Sequence, residues 1–285
     1  MTSQIKTGLL LGLLTALLLL FGRILGGQTG LIIAFVLAIA MNVGSYWFSD
    51  RLVLSMYKAQ KLEYNDAPQV HKIVTELAQK AGLPMPRIYM IPQDAPNAFA
   101  TGRNPGNAVV AVTSGILKIL SPEELKGVLA HEMGHIRNRD ILIQTVAATL
   151  GGTIMFVASM VKWAAIFGMA GGNDEEGGGN PLLAIVLAII APIAATLIQM
   201  AISRSREYLA DRTGAELSGN PLHLASALQK LDYYSKGIPM REGNPSTAHM
   251  FIVNPFSGTS MARLFSTHPP AEDRIKRLRA MAGSG

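Results

Sequence analysis

His131, Glu132 and His135 form the pattern H-E-x-x-H, whose residue types and spacing carry a definite chemistry. On an α-helix, positions i and i+4 lie about 40° apart around the axis, so both imidazoles can reach one metal ion from a single face. The Glu132 carboxylate points to the neighbouring side, where it can take a proton from water that the metal activates. Imidazole and carboxylate donors suit zinc, and such a site hydrolyses carbonyl bonds. The plainer alternative is a pair of helix-face histidines with an incidental glutamate. The sequence before the motif weighs against it. Ser121-Pro122-Glu123-Glu124 offers an N-cap serine, a proline at N1 and a glutamate at N3, a strong helix start. His131 is then expected about ten residues inside a helix.

A catalytic zinc site needs a third protein ligand and an open position. The extended pattern with a third histidine fails, because Asn138 and Ile141 stand where glycine and histidine are needed. The next acidic residues after Asp140 are Asp174, Glu175 and Glu176, in a loop assigned below to the opposite side of a membrane. Glu207 is the first carboxylate to return to the side of the motif, and Asp211 follows one helical turn later. Glu207 is therefore the expected third ligand, and Asp211 is placed to hold a ligand histidine from behind. The alternative for both is ion pairing with Arg204, Arg206 or Arg212 on a solvated helix.

The elements that must position these residues include long apolar runs. Hydrophobic residues make up 49% of the chain and charged ones only 15%, with a mean hydropathy of +0.29, against about 25% charged in a soluble domain. Four segments account for the deficit. Spans are expected over residues 7–25 and 31–48, joined by a glycine-rich turn at 26–30, and over 141–162 and 181–202. The predicted organisation is a transmembrane hairpin over 1–48, a catalytic part over 49–140, a second hairpin over 141–202 and a second catalytic part over 203–285. Arg137 and Arg139 precede the third span, and Arg204, Arg206 and Arg212 follow the fourth, while the loop over 171–180 is acidic. The positive-inside rule puts both catalytic parts in the cytoplasm. Lys162 and Trp163 are expected at the far interface, with the lysine snorkelling. At 1.5 Å per residue, His135 and Glu207 then lie within roughly 10 Å of the bilayer surface.

Within the polar segments, helices are expected over residues 68–81, from 121 through the motif, over 221–234 and over 271–281. Short strands are expected at 87–91 and 108–112, with a turn-rich stretch over 92–107. The fold class is mainly α with a small β-sheet.

The pairing of H-E-x-x-H with Glu207-Tyr208-Leu209-Ala210-Asp211 after a later span resembles the HtpX-type membrane metalloproteases, relatives of the zinc CAAX prenyl proteases. So do Asn97-Ala98-Phe99-Ala100-Thr101-Gly102, Val109 to Gly115, and Thr267-His268-Pro269-Pro270 through Arg274-Ile275. The resemblance covers essentially the whole chain. It implies a zincin-like domain with one Zn2+ per chain, held by His131, His135 and Glu207, with Glu132 as general base and acid and Asp211 behind the ligands. It further implies a substrate-holding edge strand around Phe99, Val110 and Val112, and His268 and Arg274 as stabilisers of the oxyanion. The alternatives are an ordinary structural strand, and a His-Pro-Pro that only sets the approach to the last helix. The implied role is ATP-independent cleavage of misfolded or unfolded membrane proteins during stress, at the cytoplasmic face of a bacterial inner membrane.

Other function classes fare worse. The net charge of +6 and pI of about 9.6 come without a basic run interleaved with aromatics, so nucleic acid is not an expected partner. There is no cysteine, which removes disulfide and thiol chemistry, and no P-loop, so ATP is not expected either. A structural zinc would use four protein ligands. An intramembrane protease would not flank its motif with Glu123, Glu124, Lys126, Arg137 and Arg139. A transporter would carry broken apolar helices with polar residues at mid-depth.

Overall fold

The computed structural model describes residues 3–148, 204–240, 245–254 and 269–283. Helix α1, Ser3–Met56, is broken at Gly27, whose φ of 58° and ψ of −134° suit only glycine. The two arms fold back on each other. Asn42 Nδ2 donates to Thr15 Oγ1 at 2.9 Å, and a Cβ built on Gly22 would lie 2.5 Å from the Ala34 Cβ of the other arm. The expected turn at 26–30 is thus a single glycine break. The second arm, Gly26–Phe48, is the one helix among the described residues long and apolar enough to cross a membrane. It leaves Ile32, Ile33, Phe35 and Val36 exposed. The helix then runs on to Met56, beyond the expected end at 48, because Val53, Leu54 and the following Tyr57 are buried against the rest of the chain. Residues 141–148 are helical. The remainder of the expected third span, the fourth span, Lys162, Trp163 and the acidic loop lie outside the described residues.

The polar segments form a small sheet packed against helices. Strands β1 (Gln60–Lys61), β2 (Arg87–Ile91), β3 (Ala98–Thr101) and β4 (Val109–Thr113) take the order β1-β2-β4-β3. β4 runs parallel to β2 and antiparallel to β3. The stretch expected to be turn-rich therefore contains a strand. β3 is four residues between Pro92 and Pro105, and its stabilising partner is β4 rather than anything in its own sequence. The expectation of an edge strand at Val110–Val112 also needs correction: β4 is paired on both sides, and the edge belongs to β3. Burial on both faces explains the unbroken Val109-Val110-Ala111-Val112 run. Ala98, Ala100, Val110 and Val112 face one apolar cluster, and Phe99, Val109 and Ala111 face the other.

Helix α2 (Pro68–Ala81) starts with proline in its first turn and ends at Gly82, left-handed at φ 65°, as expected from sequence. Helix α3 is Ser114–Ile119, and α4, Pro122–Arg137, carries the motif. Its capping box is formed in both directions: the Ser121 side chain accepts from Glu124 N, and Glu124 Oε2 accepts from Ser121 N at 2.8 Å. Helices α5 (Arg204–Ser218), α6 (Pro221–Gly237) and α7 (Ala271–Ala282) complete the body. α4 is its axis, with every residue from Gly127 to Ile136 buried.

Candidate metal centre

The close approach of α4 and α5 builds the site. A Cβ on Gly134 would lie 3.0 Å from Ala210 O, and one on Gly214 would lie 2.9 Å from His131 N. Backbones in such contact put the side chains of α5 directly over the motif. Glu207 Oε1 lies 3.5 Å from His135 Nε2, Glu207 Oε2 lies 3.8 Å from His131 Nε2, and the two Nε2 atoms are 3.1 Å apart. Donors about 2.0–2.1 Å from a tetrahedral metal sit roughly 3.3 Å from one another. The three side chains, all buried, are therefore spaced as the corners of one coordination shell and are capable of holding a metal.

The outer nitrogens of both imidazoles face carboxylates. His131 Nδ1 is 2.9 Å from Asp211 Oδ1, and His135 Nδ1 is 3.5 Å from Asp140 Oδ2. A proton held on Nδ1 leaves each Nε2 lone pair for a metal. Asp211 thus occupies its expected place behind a histidine. Asp140 was not anticipated. It returns to His135 because Arg139 adopts a left-handed φ of 58°, reversing the chain so that Asp140 N donates to His135 O at 2.9 Å. An aspartate directly before a helix is an ordinary N-cap, and Asp140 O does accept from Gln144 N, so the sequence carried no signal of its contact with His135.

Charge balance tests the fit to a metal. Four carboxylates are buried here, Glu132, Asp140, Glu207 and Asp211. The guanidinium groups packed among them are Arg206, 3.8 Å from Asp140, and Arg274. Counted over the described residues alone, two negative charges remain if both imidazoles are neutral, which suits a divalent cation. Glu132 Oε2 is buried with no hydrogen-bond partner among the described residues, a costly state unless a water or substrate donates to it. The same surroundings set the acidities. Burial pushes His131 down to about 4, against the pull of Asp211. Burial also acts to lower His135, but Glu207 and Asp140 outweigh it and raise it to about 9, a proton that a cation would displace. Burial, reinforced by Glu207, raises Glu132 to about 7, where a carboxylate readily gives and takes a proton.

Arg274, on α7, is 1% exposed. Its Nε and Nη2 donate to Asp211 at 3.0 and 2.7 Å, and its Nη1 donates to Ile252 O at 2.9 Å. The guanidinium stacks these contacts behind the His131 ring, with Nη2 3.4 Å from Nδ1. Its donors are turned toward the carboxylate that holds the ligand. His268 lies outside the described residues. Phe99, Val110 and Val112 are fully buried. Phe99 packs away from the motif, against Tyr57 and Phe251. What β3 presents to the site is backbone: the Ala100 N–H hydrogen-bonds the Glu132 carboxylate.

A pair of histidines on one helix and a glutamate on a second, spaced so that they can hold a metal, point to the metallopeptidase class, and sequence comparison bears out that class. Residues 65–282 match the model of peptidase family M48, and the chain belongs to that family. It is 60% identical to a protein named Protease HtpX homolog from Syntrophobacter fumaroxidans, covering 99% of this chain and all of that one. It is 62% identical to a protein of the same name from Persephonella marina, over 98% and 97% of the two chains. Among solved structures it is similar to Ste24p of S. mikatae, with a TM-score of 0.49 and 19% identity over 87% of this chain and 57% of that one. The chain is a membrane-associated metallopeptidase.

Proposed function

We propose that the chain is a zinc endopeptidase that cleaves unfolded or damaged membrane proteins at the cytoplasmic face of a bacterial inner membrane, as one part of protein quality control. The observation that carries the proposal is the convergence of His131, His135 and Glu207 beside Glu132, with a carboxylate behind each histidine. His131, His135 and Glu207 would hold the ion. A bound zinc supplies a Lewis acid and draws the pKa of its water toward about 7. Glu132 accepts a proton from the attacking water and returns it to the departing amine nitrogen. Burial of the carboxylate tunes it for both transfers. The outer edge of β3 would hold the substrate backbone as an added strand. Much of that edge is already taken, since Ile252 N donates to Ala98 O at 3.1 Å, Ala98 N donates to Asn97 Oδ1 at 3.1 Å and the Ala100 N–H goes to Glu132, which leaves the Ala100 carbonyl for a substrate N–H. Arg274 acts as a positioning residue through Asp211, to which its Nε and Nη2 both donate; one N–H on each of Nη1 and Nη2 remains, on nitrogens 4.0 Å from Glu207 Oε2 and 3.5 Å from His131 Nε2. The two hairpins and the cytoplasmic placement of both catalytic parts rest on the distribution of Lys and Arg around the apolar runs.

Glu132→Gln tests the reading. Purified variant should keep one zinc per chain by elemental analysis and lose cleavage of casein by at least 100-fold, a general base contributing about 10²–10⁴. Glu207→Ala should lose the metal. Full casein cleavage by Glu132→Gln, or full zinc content in Glu207→Ala, overturns the assignment.

A further inference from the structure

On the side of α5 away from His135, a cleft of about 420 Å³ opens between α5 and α7. Ser205, Tyr208, Leu209 and Arg212 line it from α5, and Arg277 and Met281 from α7. The α5 residues recur at spacings of three and four and so form one face of the helix. The Arg277 guanidinium lies 3.8 Å from the Tyr208 ring centroid, a stacking contact that fixes its position. Neither Arg212 nor Arg277 makes an ion pair among the described residues. Glu216 and Asp273 stand one turn away on the same helices and form no ion pair with either among the described residues. Asp211 also borders the cleft, but its carboxylate is spent on Arg274 and His131. Arg206, which does have a carboxylate partner, is turned inward to Asp140 instead.

We infer that this cleft binds a phosphate group, and that the headgroup of an anionic phospholipid supplies it. Two guanidinium forks match phosphate oxygens bidentately, and they are the natural choice where a phosphate must be gripped. Leu209, 47% exposed, and Met281 offer apolar surface at the same cleft for the glycerol and upper acyl chain. The lipid source follows from the place of α5 in the chain, a step that rests on the reading of 181–202 as a membrane span. α5 begins two residues after that apolar run. Helical side chains tilt toward the N-terminus, so Tyr208 and Arg212 lean toward the membrane end of α5. Ten residues separate Arg212 from Ile202 in the sequence, ~15 Å at the rise of an α-helix. A long side chain reaching back from there meets the headgroup layer, which extends roughly 5–8 Å beyond the hydrocarbon core. The site is separate from the metal but shares α5 with it, so an occupied cleft would brace the helix that carries Glu207.

The test uses the full chain in neutral detergent, with native mass spectrometry counting bound lipid. Wild type should hold one phosphatidylglycerol at least tenfold more tightly than phosphatidylcholine. R212Q/R277Q should lose that preference by tenfold or more, and R212K/R277K should retain part of it. K118Q/K276Q, which removes the same charge outside the cleft, should bind as wild type. Equal binding by R212Q/R277Q, or an equal loss in K118Q/K276Q, overturns the proposal. Binding of 20 mM inorganic phosphate with no phosphatidylglycerol bound keeps the phosphate site and moves its ligand to a soluble ester. Displacement of the lipid by a polyglutamate peptide but not by phosphate overturns it in favour of acidic polypeptide. Flotation of each variant with phosphatidylcholine vesicles reports the membrane reading on its own: wild type that fails to float refutes that reading, whatever the cleft binds.

Discussion

At the scale of single residues, the site is two imidazoles whose useful nitrogens are set by what their other nitrogens touch. Asp211 serves two masters, His131 and Arg274, and that double use makes it the most informative position to change. Asp211→Asn keeps the shape but removes the charge. Metal affinity should fall by about 10–100-fold, as for other carboxylates behind ligand histidines. Competition with a chromophoric chelator measures this, and unchanged affinity would show that Asp211 only neutralises Arg274. His131, Glu132 and His135 were legible because the whole motif lies within one helical turn and a half. Glu207 and Asp211 were legible through topology and family likeness. Asp140 was not, since its contact depends on one left-handed residue, Arg139, that local sequence does not announce. Arg274 was legible as a member of the site through family likeness, but its hydrogen bonds to Asp211 and Ile252 O were not. A sequence gives no sense of which way a guanidinium turns when a carboxylate and a carbonyl compete for it.

At the scale of elements, α4 must be held rigidly at both ends for its middle to present two ligands. The C-terminal half is fixed by contact with α5. The start is fixed by Glu124, 7% exposed, which accepts from Ser226 Oγ at 2.6 Å and from Lys230 Nζ at 2.7 Å on α6 as well as closing its own capping box. Burial works to raise the Glu124 pKa, but the Lys230 and Ser226 hydrogen bonds and the Ser121 N–H outweigh it and leave it lowered. A carboxylate depressed in the folded state contributes stability above its unfolded pKa, and loses it as pH falls through the folded value. Glu124→Gln should therefore destabilise the protein by about 1–2 kcal/mol at pH 7, the figure kept low because Lys230 is partly exposed. The gap between variant and wild type should close as pH drops below about 4.5, the unshifted value. Thermal melts in detergent across that range decide it, and a gap that stays constant with pH would assign the cost to shape instead of charge. The capping box and the ends of α2 could be read directly because caps are local signals. β3 could not, because a four-residue strand between prolines is made by its partner β4, and pairing across a sheet leaves no mark on the short strand itself.

At the scale of the whole molecule, the question is how the α1 hairpin and the catalytic body keep register, since the β3 edge must stay opposite Glu132. The fastening is aromatic. Tyr57, directly after α1, meets Phe251 with ring centroids 5.2 Å apart, Phe251 meets Phe99 of β3 at 5.1 Å, and the Tyr57 hydroxyl hydrogen-bonds Thr247. The far end of β3 is tied to the helix over 141–148, where Thr101 Oγ1 and Thr145 Oγ1 are 2.9 Å apart and Gly102 N donates to Thr145. One short strand is thus bolted to chain segments on both sides of the metal site, each adjoining an apolar run. Phe251 is the shared piece, fully buried and touching both other rings. Its truncation to alanine should cost about 3–5 kcal/mol, the usual loss for a buried phenylalanine, while Phe251→Leu should cost under ~1.5 kcal/mol. If the cluster sets the position of β3, a second effect must accompany the first. Below the melting temperature, Phe251→Ala should raise the KM for a peptide substrate severalfold, with zinc content unchanged, because the edge proposed to receive the substrate backbone has loosened while the proposed ligands on α4 and α5 have not. A variant that melts early yet keeps its KM would mean that β3 is held by β4 alone, and that the hairpin is an anchor with no part in aligning the site.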